Sequence, residues 1–157
     1  MAVLEVGINL GMKNLVNNKY YSSSDNILDP NIRAKFLSGL KSCFTEVFGD
    51  KINVISLSNY EIVCYYKMIQ LPDEGDRDTQ PLLSFAIIEK ETDHNFVKTH
   101  LKEIISQFLN RYPVNDIFSK KPKYFKDFMT RIDEILGDLR FKIEDRIKSI
   151  FGEYNKS

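Results

Sequence analysis

The sequence has no tryptophan, two cysteines, two histidines, seven glycines and five prolines. Each scarcity narrows what the chain can be. Cys43 and Cys64 each sit inside an apolar run. A disulfide framework in a chain of this size needs more cysteines, and a zinc site needs clustered ligands, so both read as core thiols. Charge of one sign is also missing. Lys plus Arg is 22 and Asp plus Glu is 22, giving a formal net charge of zero. Nucleic-acid binders carry a basic excess that neutralises phosphates, so no nucleic-acid partner is expected. No G-x-x-x-x-G-K-[ST] and no G-x-G-x-x-G occurs, which leaves no phosphate-cradling loop and no nucleotide cofactor; the chain is not itself a GTPase. No apolar run approaches the roughly 20 residues that span a bilayer. No basic leader precedes an apolar stretch, and Met1-Ala2 lacks the glycine used in myristoylation. The expectation is a soluble, cytoplasmic protein.

What is present is globular. Apolar residues make up 43% and charged residues 28% of 157 residues, enough for one domain with a real core. Residues 2–10 (AVLEVGINL) alternate as a strand, with Val3, Glu5, Gly7 and Asn9 opposing Leu4, Val6, Ile8 and Leu10. Gly11 opens a turn, and residues 15–21 return as a second strand. Two more strands are expected at 52–57 and 60–69, where Ile62, Val63, Tyr65 and Tyr66 supply β-branched and aromatic side chains. The stretch 71–81 (LPDEGDRDTQP) reads as an exposed hairpin loop. Its carboxylates lack the twelfth-position glutamate of a calcium loop. Residues 82–88 (LLSFAII) form a nearly continuous apolar run, the pattern of a central strand buried on both faces.

The helices announce themselves by spacing and caps. Asp29-Pro30 opens one whose apolar face is Phe36, Leu37, Leu40, Cys43, Phe44, Val47 and Phe48, closed by Gly49. Asp93 caps a second, with Val97, Leu101, Ile104, Ile105 and Phe108 on one face, ended by Tyr112-Pro113. A lysine- and proline-rich linker over 113–123 leads to an expected long helix over 124–151. Its stripe is Phe125, Phe128, Ile132, Ile135, Leu139, Ile143, Ile147 and Ile150, crossed by Gly137. At 1.5 Å per residue such a helix would run about 40 Å, longer than a five-stranded sheet needs for cover.

The resulting order is β-β-α-β-β-β-α-α. That order, together with Phe44-Thr45-Glu46-Val47-Phe48-Gly49-Asp50 running into Ile52-Asn53-Val54-Ile55-Ser56-Leu57-Ser58-Asn59-Tyr60, resembles longin-like domains of the archaeal longin/roadblock superfamily. So does the pairing of Leu83-Ser84-Phe85-Ala86-Ile87-Ile88 with a helix ending Phe108-Leu109-Asn110-Arg111-Tyr112. The likeness covers 1–112; roadblock domains begin with a helix, so the initial strand favours longin. It implies an α/β (α+β) fold with a five-stranded antiparallel sheet, and a single domain with 1–112 as core. In function it implies a non-catalytic scaffold in small-GTPase regulation or vesicle trafficking, working as a homo- or heterodimer. Sheet edges or the first helix would then meet the partner, so Phe36, Leu40, Phe44, Ile52 and Val54 are the candidate contacts. Ile143, Ile147 and Ile150 join them if the terminal helix buries its apolar side against a second subunit.

No catalytic set and no metal site is expected. His94 and His100 lie six residues apart, about 600° of helical rotation, and cannot share a face as metal ligands. Cys43 belongs to an apolar helix face rather than a nucleophile pair. The most suggestive local feature is Lys120, Lys121, Lys123 and Lys126 interleaved with Tyr124, Phe125 and Phe128. Such a segment is either a solvated linker with the first turn of a packed helix, or a peripheral contact with an anionic membrane surface. Two other functions stay open: a small-molecule sensor of PAS- or GAF-like build, which requires a polar-lined cavity between sheet and helix, and a structural subunit of a larger assembly.

Overall fold

A computed structural model describes residues 3–20, 53–57, 60–71 and 79–140. Strands β1 (Val3–Leu10), β2 (Lys13–Lys19), β3 (Asn53–Leu57), β4 (Tyr60–Gln70) and β5 (Thr79–Glu89) come first. Helices α1 (His94–Arg111), α2 (Val114–Ser119) and α3 (Phe128–Leu136) follow, with 3-10 turns at Pro122–Phe125 and Gly137–Arg140. All strand pairs are antiparallel, in the spatial order β2-β1-β5-β4-β3. The molecule is a mixed α/β fold built on an antiparallel sheet.

The apolar run 82–88 dictates the centre of that sheet. β5 lies between β1 and β4, and each of these residues is at most 6% exposed. Alternate side chains serve opposite faces. Leu82, Ala86 and Ile88 join Val63, Val97, Leu101, Ile104 and Phe108 in the main core under the helices. Leu83, Phe85 and Ile87 join Ile62 and Cys64 in a second cluster, flanked by Tyr60 and Tyr66. Cys64 is thus a core residue, as its apolar setting indicated. At about 1.5–3 kcal/mol for each large apolar side chain buried, this double cover is a principal stabilising term.

β1 departs from simple alternation. Its register against β5 shifts between Val3 and Glu5, so Val3 joins Val6, Ile8 and Leu10 on the helix side. Every residue of β1 is buried, Glu5 and Asn9 included. Gly7 pairs with Phe85, whose ring occupies the place a Cβ would take, and Asn17 Oδ1 would lie 2.9 Å from that Cβ. The glycine therefore admits an aromatic ring across the strands.

The helical layer follows from caps and one aromatic joint. The Asp93 carboxylate accepts from Asn95 N at 2.9 Å and from Phe96 N at 3.4 Å, opening α1. Inside β5, the Ser84 hydroxyl donates to the Leu101 carbonyl at 3.0 Å, pinning α1 to the central strand. Beyond Pro113 the expected linker is folded. α2 buries Ile117, and the 3-10 turn opened by Pro122 buries Phe125. Phe108, Tyr112, Phe125 and Phe128 meet there, with Phe108 and Phe128 centroids 5.1 Å apart and Tyr112 and Phe125 5.0 Å apart.

The long terminal helix expected from Tyr124 requires correction. Helix begins at Phe128 and ends at Leu136, a span of about 14 Å. Gly137 adopts φ 54° and ψ −129°, the first central position of a type II′ turn, which L side chains avoid. Phe128, Ile132, Leu136 and Leu139 still reach the core, because the 3-10 turn after Gly137 returns Leu139 to it. Pro122 fixes the entry to a 3-10 turn over Pro122–Phe125, and residues 126–127 form a further turn before Phe128. The rest of the expected stripe, and the helix expected over 29–49, lie outside the described residues.

Gly7→Ala drives a methyl group into the Phe85 ring. Its expected cost is about 1–3 kcal/mol, seen as a lowered thermal midpoint. An unchanged midpoint would show that Phe85 repacks freely.

Candidate interaction surfaces

The described residues present three surfaces. The first is a sheet edge. Among the described residues β3 has β4 as its strand neighbour, whereas β2, at the other end of the sheet order, is packed by the 3-10 turn at Pro122 and by α3. Val54 lies on β3 and is 38% exposed. An edge strand presents unpaired N–H and C=O groups that can template another strand. Of the candidate partner contacts, the structure places Val54 on this edge. Phe36, Leu40, Phe44, Ile52, Ile143, Ile147 and Ile150 lie outside the described residues.

The second surface is an open groove of about 600 Å³ between α1 and α3, whose walls include Asn110, Arg111, Asp127 and Thr130. A shallower one of about 390 Å³ adjoins it toward His100 and shares Gln107, Arg131 and Glu134. Arg131 Nε donates to Gln107 Oε1 at 2.5 Å, and its guanidinium meets Glu134 Oε2 at 2.8 Å. Gln107 in turn donates to Glu103 Oε1 at 2.6 Å. All lie at the surface, and the Arg131–Gln107 bond joins the two helices.

The third surface is the lysine-rich end. Lys120, Lys121, Lys123 and Lys126 are all exposed. Phe125 and Phe128, read with them from sequence, are instead buried at 0% and 1%, leaving Tyr124 as the exposed ring at 47%. Tyr124 donates to Asp116 Oδ2 at 3.1 Å, and Lys120 Nζ stands 5.4 Å from its ring centre. That hydrogen bond and the Asp116 charge raise the Tyr124 pKa above its ordinary value. Sequence reading did not foresee that the β1–β2 turn joins this end: Lys13 Nζ donates to the Lys120 carbonyl at 3.2 Å, and Met12 is 56% exposed. Residues 107 apart give no local signal of such a meeting.

Two further polar arrangements tie elements together. Asn18 Nδ2 donates to the Met129 carbonyl at 2.9 Å and Asp133 Oδ1 at 3.0 Å, and Tyr20 donates to the same carboxylate at 2.5 Å. This network fastens α3 across β2. His94 pairs with Glu61, tying the start of α1 to β4, while His100 Nδ1 lies 2.7 Å from the Phe96 carbonyl. The two histidines thus serve different partners. Among the described residues no group of three or more His, Cys, Asp or Glu could hold a metal ion. Nor is any described helix long and apolar enough to cross a membrane. No family model matches the sequence, and no curated protein matches it.

Tyr112 supplies a pH test of the aromatic joint. Burial raises its pKa, Arg111 opposes the shift and Asp127 adds to it. The unfolded chain then loses the phenolic proton first, at about pH 10. The contribution is complete below that pH and is lost as pH rises through the higher folded value. Tyr112→Phe is expected to flatten this alkaline decline in denaturant titrations while leaving neutral stability nearly unchanged. An identical alkaline limb would contradict it.

Proposed function

We propose that the chain is a non-catalytic protein-binding module, a longin-like platform for a small GTPase or a trafficking complex, acting at a cytoplasmic location as part of a homo- or heterodimer. The observation that carries the reading is the antiparallel sheet in the order β2-β1-β5-β4-β3, with helices following β5 and β3 left at the edge. The five strands come in the chain order expected from the longin resemblance, and three helices and two 3-10 turns follow them among the described residues. A binding role draws on what the fold offers at low cost: an edge strand able to extend its ladder into a partner, with Val54 exposed beside it. In the α1–α3 groove Gln107, Arg131 and Glu134 are engaged in hydrogen bonds with neighbouring side chains; a sensor would instead need a polar-lined cavity between sheet and helix.

The test is affinity capture from source-cell lysate with GDP and, in parallel, with a non-hydrolysable GTP analogue, read by mass spectrometry. A small GTPase enriched in one nucleotide state is the expected result. Recovery of bait alone, or of the same non-GTPase proteins in both arms, would overturn it in favour of an assembly subunit. Val54→Lys places a charge on the β3 edge. It is expected to lower capture at least tenfold while moving stability by no more than about 0.5 kcal/mol. Undiminished capture would move the contact away from β3.

A further inference from the structure

The lysine-rich end combines features that the sheet edge lacks. Lys13 opens β2 directly after the β1–β2 turn, while Lys120, Lys121, Lys123 and Lys126 come from the segment around the 3-10 turn; all are exposed. The fold brings the two segments together through the bond from Lys13 to the Lys120 carbonyl. In a chain with no net charge this gathers cations at one end. Two exposed side chains with apolar bodies stand among them, Met12 at the turn and Tyr124 beside Lys120. The nearby Asp116 carboxylate is engaged by the Tyr124 hydroxyl, and Asp127 belongs to the groove with Arg111.

We propose that this end of the fold docks on the surface of an anionic lipid bilayer. Its cations are lysines, mobile point charges suited to a diffuse field of headgroups rather than to bidentate recognition of individual carboxylates. Each contributes about 1 kcal/mol near an anionic leaflet. Long aliphatic stems let the ammonium groups stay at the headgroups while Met12 and the Tyr124 ring enter the interface. The proposal is independent of the GTPase reading. Among the described strands β3 lies four spacings from β2, about 19 Å across the sheet, so the two surfaces are separate.

The experiment is co-sedimentation of the full chain with vesicles of phosphatidylcholine alone or mixed with phosphatidylserine, and in parallel binding to soluble polyglutamate. Expected is binding to the mixed vesicles, little to the neutral ones, and loss on raising salt to about 0.5 M. The combined change Lys120→Gln, Lys121→Gln and Lys123→Gln should lower the partition coefficient on the order of 100-fold. The lysines are exposed, so the thermal midpoint should stay at the parent value. Met12→Ser should weaken vesicle binding several-fold and leave polyglutamate binding unchanged. Failure to sediment with phosphatidylserine vesicles at low salt overturns the proposal, as does vesicle binding indifferent to the triple change. Binding to polyglutamate without binding to vesicles also overturns it and assigns the surface to an acidic protein.

Discussion

A strand with apolar side chains on both faces must lie inside its sheet, with cover on each side. Residues 82–88 impose this condition, and much of the described fold follows from it. β1 and β4 flank β5, and α1 is held against one face by its Val97, Leu101, Ile104 and Phe108 side chains. On the other face Phe85 lies over Gly7, so the aromatic ring and the missing side chain form a matched pair. Once β5 is central, the remaining strands reach outward on either side, and β3 becomes an edge.

The two edges have different neighbours, and the functional reading rests on that difference. β2 is fastened from the side by the Asn18–Asp133–Tyr20 network and by the turn that buries Phe125. β3 shows Val54 at the surface. The lysine-rich end sits beside the packed edge, because the turn at Pro122 that covers β2 also carries the lysines.

Strand positions were legible from three different signals: alternation in β1, β-branched and aromatic content in β4, and a nearly continuous apolar run in β5. The cap at Asp93 and the apolar face of α1 were equally plain. The terminal region was not. A three- and four-residue stripe from Phe125 to Leu139 satisfies one continuous helix and equally a 3-10 turn, a short helix and a second turn, since both bring these side chains inward. Gly137 and Pro122 carried the deciding information, but helix propensity alone weighs the glycine at about 1 kcal/mol and understates its turn geometry. Sequence also placed Phe125 and Phe128 with the lysines, although their burial depends on contacts with Phe108 and Tyr112. Lys13 and Met12 were invisible as members of the basic end because their association is wholly tertiary. Most candidate partner contacts lie outside the described residues; Val54 and the four lysines are the candidate contacts that lie within them, all exposed.

The central claim, a double-covered β5 with β3 at the end of the described sheet, is tested most directly by amide hydrogen exchange of the dilute protein. The account predicts that amides of residues 82–88 exchange slowest, at rates approaching global unfolding, while alternate β3 amides facing away from β4 exchange orders of magnitude faster. Equal protection of β3 and β5 would contradict it, because the edge would then already be paired.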